Sequence, residues 1–379
     1  MFLRFFDALT LTLSGGNWNT FSDAHLFDTD TMIEYSYTKR WSKVGEFSLS
    51  LPFRNETLSS IRVNGFIQAK DDMTNETDWL WIQNVTYDGK KITVSGKDAK
   101  GLLDTRIAVY GDTQHKGTEG YDVASGNTKV CIRHYLNSHA ISPSDAARKL
   151  PIRHIVGTVG LSEDSYMARF EYLSDIVSEL CDGAEIGYDL QVQNLYTQGF
   201  VVVLSEGDRR DFGQSDNPRV IFSLRHRNIT SQNFSHGVSD LFNAIYATDS
   251  EGYTGEVSRG STPSSGLSRR ECNITVSSVG FADDWFDKYA LEQVKDNVET
   301  HHYTIDVGVS SGYGTDYSLG DTVTILDDYT DNRFNARITE VTKTYSTGSR
   351  KITLVLGQQK QKPLEKIVND FMSGTARHR

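Results

Sequence analysis

The sequence predicts a β-rich α+β, multidomain protein with two similar small β-barrels at its N- and C-terminal ends, flanking an inserted α+β region. With 379 residues, the chain is longer than one hydrophobic core usually organises. Its 18 Tyr and 18 Phe favour strands over helices. Polar and apolar residues alternate near the two ends of the chain, whereas helical spacing appears in the middle.

Strands are predicted in the first hundred residues, at 47–51, 79–85 and 91–94, because polar and apolar residues alternate there. Asp88-Gly89 lies between the last two and predicts a hairpin, since both residues tolerate the positive φ of a primed turn. The last hundred residues repeat this character, with predicted strands at 303–307, 322–326, 333–345 and 351–356.

The middle of the chain contains segments with helical spacing of apolar residues and segments with strand alternation. Short amphipathic helices are predicted at 127–139 and 171–181, strands at 200–204 and 219–224, and further helices at 283–298 and 364–371. The predicted domains are 1–105 (a tube-like barrel), 106–235 (inserted α+β), 236–300 (a second inserted segment), 301–360 (a second tube-like barrel) and 361–379 (a tail).

A duplicated motif links the two ends. Residues 67–96 and 323–357 each contain a strand, an Asp-Asp-x-Thr turn, a strand with Val-Thr, a turn and a Lys-Ile-Thr strand. The separation from Asp72 to Val85 equals that from Asp328 to Val341. The second connection is four residues longer in the C-terminal copy, as a loop tolerates. Shared strand composition is the competing explanation, but the paired acidic turns favour duplication.

Charge and composition exclude several classes. A net charge of −11 argues against a basic groove for nucleic acid and allows DNA to pass without sticking. The three cysteines lie far apart, so neither a zinc site nor a disulfide framework is predicted. No apolar run approaches 18 residues, so no stable membrane insertion is expected. Arg4 and Asp7 interrupt the apolar N-terminus, so no secretion signal is predicted.

Several acidic and histidine residues could form chemical sites or serve structural roles. The acidic pairs Asp71-Asp72, Asp283-Asp284 and Asp327-Asp328 offer oxygen ligands or paired carboxylates, yet aspartates also cap turns. The histidines lack the spacing of helical metal motifs, and no nucleophile elbow or phosphate-binding loop occurs. We therefore predict no catalytic residues, no metal site and no cofactors.

Three stretches resemble the baseplate hub, or tail-tip hub, proteins of tailed bacteriophages, in particular the siphovirus ReqiPepy6-type tail family. They are R-W-x-x-x-G-E-F near residue 40, G-L-S-R-R-E near 266 and S-L-G-D-T-V near 318. Their order along the chain carries more weight than any one stretch. The residues that carry the resemblance, which are also candidates for interfaces, are Arg40, Trp41, Gly45, Glu46, Phe47, Gly266, Arg269, Arg270, Glu271, Leu319, Gly320 and Asp321. Arg269 or Arg270 is the candidate for a contact with carboxylates of another protomer.

The resemblance implies a non-enzymatic homotrimer in the virion tail, assembled in the host cytoplasm. Its implied partners are a distal tail protein or tail tube hexamer, and tail tip, fibre or tape-measure proteins. Genomic DNA would meet it only in passage through the lumen. Because the chain ends at Arg379, soon after its last predicted strand, any lytic activity is expected on another protein. Two alternatives stay open: a tail-associated peptidoglycan hydrolase and a host-polysaccharide-binding module.

Overall fold

The computed structural model describes residues 1–10, 17–72, 74, 76–109, 122–157, 163–239, 241–249, 254–259, 265–276, 294, 300–307, 312–346 and 348–357. The helices predicted at 283–298 and 364–371 lie outside these residues apart from Val294, as does the Asp283-Asp284 pair. Within the described part, every helix is too short or too polar to cross a bilayer.

The N-terminal unit is built mainly of strands. They are β1 (Phe2–Phe6), β2 (His25–Thr29), β3 (Glu34–Arg40), β4 (Glu46–Pro52), β5 (Phe66–Lys70), β6 (Thr77–Tyr87) and β7 (Lys91–Asp98), with a short helix α1 (Asn55–Ser60) and a 3₁₀ turn (Ala99–Thr105). The strands predicted at 47–51, 79–85 and 91–94 are therefore confirmed as β4, β6 and β7.

The inserted region follows as an α+β unit. Its elements are β8 (Asp122–Asn127), α2 (Thr128–Leu136), β9 (Ile152–Val156), β10 (Glu163–Ala168), α3 (Leu173–Gly183), β11 (Gly187–Gln191) and β12 (Phe200–Ser205). Helix α2 begins where the side chain of Asn127 caps the amide of Val130, and it continues into a π-helical turn at Asn137–Ile141. The predicted helices at 127–139 and 171–181 are confirmed with shifted ends.

The remaining strands are β13 (Ile221–Phe222), β14 (Ile229–Gly237), β15 (Ala244–Asp249), β16 (Thr254–Ser258), β17 (Glu271–Val276), β18 (Thr300–Val307), β19 (Thr322–Asp327), β20 (Asn332–Ser346) and β21 (Ser349–Gly357). The strand predicted at 219–224 shrinks to the two residues of β13, which pair in parallel with β19. Strands β15 to β17 form a separate three-stranded sheet. Strands β13 and β14 pair with the C-terminal strands, so that sheet draws on chain outside 301–360.

Among the described strands, 13 form one continuous sheet that contains strands of both the N-terminal and the C-terminal unit. Its order is β14-β18-β21-β20-β3-β4-β7-β6-β5-β1-β2, with β19 and β13 beside β20. The two ends join where β3 pairs antiparallel with β20, from Glu34 opposite Ser346 to Arg40 opposite Glu340. The prediction of two separate barrels is therefore not confirmed, because the described strands form one open sheet in which neither end closes on itself.

The duplication is present in the strand order. The order β3-β4-β7-β6-β5 of the N-terminal unit matches β14-β18-β21-β20-β19 of the C-terminal unit. Both copies interrupt the pairing at the same point, between Ile82 and Asn84 in β6 and between Ile338 and Glu340 in β20. Such a bulge is a specific feature of a strand rather than a consequence of composition. Shared composition alone therefore does not explain the similarity.

The four extra residues of the C-terminal copy do not form a longer loop, contrary to the sequence prediction. They lengthen the hairpin of β20 and β21, which stays paired out to Ser346 opposite Ser349. The lengthened part of β20 also pairs with β3. The extra residues thus enlarge the contact between the two units.

Among the described residues, three hydrophobic cores support the sheets. One core lies in the N-terminal unit and includes Tyr345 of β20, and one lies within the C-terminal unit. The third joins N-terminal aromatic residues such as Phe21 and Trp79 to Phe200 of the inserted unit, with ring centroids 4.6 to 5.8 Å apart. Burial of such rings is a major source of stability, so the inserted unit is fixed to the N-terminal sheet.

Candidate functional site: the Trp41 junction and the seam

Trp41 lies where the three units meet. It follows β3, and its amide donates to the carbonyl of Thr339 in β20 at 2.9 Å. Its own carbonyl accepts from the amide of Tyr188 in β11 at 3.3 Å. One residue of the N-terminal unit is thereby bonded to both the inserted and the C-terminal unit.

Two glycines make room for the indole ring. A Cβ on Gly187 would lie 2.4 Å from the ring, and a Cβ on Gly320 would also lie 2.4 Å from it. Gly320 has a φ of +95°, which side chains rarely adopt. We call Arg40, Trp41, Gly187, Gly320 and Arg337 the Trp41 junction.

The two arginines of the junction bond to residues around the indole ring. The Arg337 guanidinium lies 5.9 Å from the centre of the Trp41 ring and donates to the Gly320 carbonyl at 2.8 Å. Arg40 pairs with Glu340 across the seam at 3.2 Å and donates to the Val44 carbonyl at 2.7 Å. The junction therefore brings together residues from two of the stretches that carry the family resemblance, although they lie about 280 positions apart in the sequence.

Asp321 and Leu319 organise the entry to β19. The Asp321 carboxylate accepts from the amides of Asp208 and Ser318, both at 2.9 Å, and from Arg210 at 2.8 Å. Leu319 packs against the C-terminal core. In the N-terminal copy the same entry has Asn64 at positive φ, bonded to Ile82 as Gly320 is bonded to Ile338. The Leu-Gly-Asp stretch thus belongs to the duplicated unit.

The three residues of the Gly-Glu-Phe stretch, Gly45 to Phe47, differ in their surroundings. The Gly45 amide donates to the buried carboxylate of Asp98 at 2.9 Å, and a Cβ there would lie 2.5 Å from the Thr38 carbonyl. The Phe47 side chain is buried in the N-terminal core, while the Glu46 side chain is exposed. Gly45 and Phe47 therefore have structural roles.

The stretch from Gly266 to Glu271 lies elsewhere, beside the sheet of β15 to β17. Arg269 pairs there with Glu256 at 2.8 Å and with Glu271 at 2.5 Å, and it donates to the Tyr246 hydroxyl at 2.9 Å. The backbone of Arg270 bonds to Asn243. The Arg269 guanidinium thus has carboxylate partners within its own chain, and a protomer contact at Arg269 or Arg270 stays a prediction.

A buried ion network crosses the seam between β3 and β20. We call Lys39, Glu76, Asp78 and Lys343 the seam cluster. Asp78 bonds to Lys39 at 2.8 Å and to Lys343 at 2.9 Å, and Lys343 also pairs with Glu76. The Asp78 and Lys343 side chains are 3% and 1% exposed, so these charges depend on one another for solvation.

The protonation of this cluster follows from its geometry. Burial alone would raise the pKa of Asp78, but Lys343 and Lys39 outweigh it and hold the pKa below its ordinary value. Burial would lower the pKa of Lys343, but Asp78 and Glu76 raise it overall. Asp78 and Lys343 therefore keep their charges near neutral pH, which makes the network specific for this register of β3 on β20.

The acidic turns bond to nearby groups. Asp327 accepts from the amide of Tyr329 at 2.9 Å, and Asp328 accepts from the Ser223 hydroxyl at 2.9 Å. Asp71 accepts from the Tyr345 hydroxyl, while Asp72 lies 3.5 Å from the N-terminal amine. Among the described residues, no group of three or more His, Cys, Asp and Glu side chains could hold a metal ion.

A polar cleft adjoins the Trp41 junction. Its volume is about 650 Å³, and charged side chains of both signs line it, including Glu185, Arg209, Asp211 and Arg337. Arg209 and Asp211 pair with each other at 3.2 Å. Because the lining carries both acidic and basic side chains, it favours neither an anionic nor a cationic ligand.

A second polar group lies in the inserted unit. Asp122 receives hydrogen bonds from His134 and His139, both with N to O distances of 2.6 Å. Burial raises the pKa of the Asp122 carboxyl, but these two bonds outweigh it and lower the pKa to about 2. Since Tyr135 also donates to the Asp122 carbonyl at 2.8 Å, this group fixes α2 against β8.

Asp122→Asn is expected to destabilise the protein by about 1 kcal/mol near pH 6, after allowance for solvent screening. A lowered carboxyl pKa stabilises the fold above the unfolded value near 3.9, and this contribution is lost as the pH falls towards 2. Urea unfolding of both proteins at several pH values measures the difference. It should shrink below pH 4; a difference independent of pH contradicts the assignment.

Comparison with known protein families shows the family of this chain. The family described as Siphovirus ReqiPepy6 Gp37-like protein matches residues 24–358 of this chain. The chain belongs to this family. It is thus a siphovirus tail protein and a component of the virion tail, which confirms the resemblance predicted from the sequence.

Solved structures share the fold of this tail protein. The 43 kDa tail protein of prophage MuSo2 from Shewanella oneidensis has a TM-score of 0.56 and 11% identity, over 96% of this chain and 100% of that one. A tail protein from Neisseria meningitidis MC58 has a TM-score of 0.53 and 12% identity, over 96% and 98%. A chain of the lidless PdpA-VgrG complex has a TM-score of 0.53 and 7% identity, over 94% and 64%. No curated protein sequence matches the chain.

The seam cluster was missed by sequence reasoning. Lys39, Asp78 and Lys343 carry no motif and sit in strands where charged residues usually face solvent. One signal was available, since Lys343 stands where strand alternation in 333–345 places an apolar residue: Val341 and Tyr345 lie on the same face. A lysine on the buried face of a strand calls for a carboxylate partner.

Proposed function

We propose that this tail protein is a homotrimeric hub that closes the distal end of a phage tail tube. In this role it adapts a six-fold tube to a three-fold tip and forms part of the channel through which genomic DNA passes. The observation that carries the proposal is the internal duplication, in which two units of the same strand order share one sheet. Three chains in a closed cyclic assembly present six such units, one for each position of a hexameric ring.

The contacts between the two units support this role. The seam cluster and the Trp41 junction tie the two units together through buried ion pairs and close backbone contacts. A ring that continues a tube needs its units held in a constant relative orientation. We therefore propose that the two units act as adjacent tube-like barrels, each completed in the assembly by strands of its neighbours.

Charge supports the passage of DNA. The chain carries a net charge of −11, so the assembled trimer is strongly acidic and repels the phosphate backbone. Proteins that hold DNA use clustered Lys and Arg to release counterions. The proposed partners are a distal tail protein or tail tube hexamer on one face, and tail tip, fibre or tape-measure proteins on the other.

The proposed role is structural and requires neither catalysis nor a cofactor. In two of the acidic pairs, Asp71-Asp72 and Asp327-Asp328, carboxylates bond to backbone, hydroxyl or amine groups. The bond from the Tyr329 amide to Asp327 is typical of an aspartate in a turn, whereas Asp71, Asp72 and Asp328 bond to groups that are distant in the sequence. A wall-degrading enzyme and a polysaccharide-binding module are the alternatives to be tested.

Light scattering of the purified full chain tests the proposal. We expect the mass of three chains, and electron micrographs should show a ring with three-fold symmetry and a central hole that admits a DNA duplex. A chain that stays monomeric at all concentrations and clears peptidoglycan in a zymogram contradicts the hub and supports the hydrolase. A monomer that binds purified wall polysaccharide without cleaving it supports the binding module.

A further inference from the structure

We infer that the trimer is assembled through a specific strand pair, in which β14 of one copy pairs antiparallel with residues 84–87 of β6 in the next copy. The inference rests on the proposed function, since it supplies the contact between chains of that trimer. It assigns a second copy of this chain as the occupant of two open strand edges, one in each unit.

The contact within the chain provides the template. There, the outer strand of the N-terminal copy, β3, pairs with residues 340–346 of β20. In the duplicated order, β14 is the counterpart of β3, and β6 is the counterpart of β20. Residues 84–87 of β6 correspond to residues 340–343 of β20, because the bulges after Ile82 and Ile338 align. The chain has therefore used one β3-type edge and one β20-type edge and has one of each left.

Both remaining edges are open in the described structure. Among the described strands, β14 pairs with β18 alone, and residues 84–87 pair with β7 alone. Asn84, Thr86 and Tyr87 are exposed, as are residues 230, 231 and 233–235 of β14. An exposed strand edge presents unpaired amides and carbonyls and is a template for another strand.

The side chains on the two edges correspond to those at the seam within the chain. Thr38 and Thr342 lie opposite each other there, with their hydroxyl oxygens 2.9 Å apart. Their counterparts on the open edges are Ser235 and Thr86, so a hydroxyl pair recurs. The next pair along is Phe234 opposite Tyr87, and these rings are 38% and 63% exposed.

The contact is head-to-tail, since two different edges of the chain meet. Repetition of such a contact closes into a ring when the rotation between copies allows it. The same pairing then alternates around the ring, once inside each chain and once between chains. All six units receive an equivalent neighbour, which a six-fold partner requires.

Cysteine cross-linking tests this register in the full chain. We expect Thr86→Cys combined with Ser235→Cys, in a Cys272→Ser background, to form a disulfide between copies under mild oxidation. Non-reducing gels should then show species of two and three chains and none larger. Cys131 and Cys181 are buried and should not interfere.

Two controls fix the interpretation. Thr38→Cys with Thr342→Cys should form a bond within one chain and leave the gel mass of a single chain. Thr86→Cys with Ser231→Cys is four residues out of register, about 13 Å along the strand, and should form no bond. A trimer by light scattering that fails to cross-link at Thr86 and Ser235 overturns the strand pair and leaves the hub intact. A chain that is monomeric in scattering overturns both.

Introducing a charged residue into this contact gives a second test, which measures the concentration needed for assembly. Tyr87→Asp places a carboxylate opposite Phe234, so we expect the concentration for half-assembly to rise at least about tenfold. Tyr196→Asp makes the same change on a tyrosine that is 80% exposed in the inserted unit and should assemble normally. Equal assembly of the two variants, with equal melting temperatures, overturns the strand pair.

Discussion

Replacing Asp78 by alanine is expected to lower the free energy of unfolding by about 3 to 5 kcal/mol. The carboxylate is 3% exposed and bonds to two ammonium groups, those of Lys39 and Lys343, at 2.8 and 2.9 Å. Its removal leaves Lys343, which is 1% exposed, with Glu76 as its remaining carboxylate. A buried charge that loses a partner cannot recover its hydration without opening the seam. Urea unfolding measured by fluorescence gives the value.

Matched variants separate this effect from a general loss of negative charge. Asp72→Ala removes a carboxylate that is 67% exposed and should change the stability by at most about 0.5 kcal/mol. Lys343→Met should cost less than Asp78→Ala, because Asp78 keeps its bond to Lys39. If Asp78→Ala costs no more than Asp72→Ala, the cluster does not hold the seam.

Replacing Gly320 by alanine is expected to lower the free energy of unfolding by about 2 to 4 kcal/mol. Two effects add. The backbone has a φ of +95°, where a side chain is strained, and the new Cβ would lie 2.4 Å from the Trp41 ring. The ring cannot simply retreat, since Gly187 lies equally close. Thermal and urea unfolding measure the loss.

A second glycine isolates the contact with Trp41. Gly348 has a φ of +82° but open space where its Cβ would be, so Gly348→Ala reports the backbone strain alone, about 1 kcal/mol. The difference between the two variants is the cost of overpacking. Combining Gly320→Ala with Trp41→Ala should cost less than the sum of the single changes, by about 1 to 3 kcal/mol. Additive costs would show that the ring and the glycine do not contact.

The sequence was sufficient for the strands of the motif that the two ends share. Alternation in 79–85 and 333–345 predicted β6 and β20, because one face of each strand is buried and the other is polar. The recurring acidic turn predicted that Asp71 and Asp327 occupy the same place in each unit. The outer strands of the duplicated order, β3 and β14, were missed, since neither belongs to the motif that the two ends share.

The sequence indicated some residues of the candidate site but not the contacts between them. Trp41 and Gly320 stood out through the family resemblance, but nothing in the sequence indicated that they contact each other. Gly187 was not predicted at all, because a glycine that makes room for a ring has no sequence signal of its own. Lys39 and Asp78 were missed for a similar reason, since ion pairs between strands distant in sequence have no fixed spacing.

By itself, the sequence determined the strands of the duplicated motif, the turns between them and the duplication, and it carried the resemblance to the family. The strands and turns depend on periodicity and turn chemistry within some 30 residues, which local sterics and burial fix. Tertiary structure alone decided that the two copies share one sheet, since β3 and β20 lie about 300 residues apart. Such a pairing depends on which edges meet in space after each unit has formed. The lengthened hairpin shows this most directly: four residues that the sequence presented as a longer loop became the paired strands that join the two units.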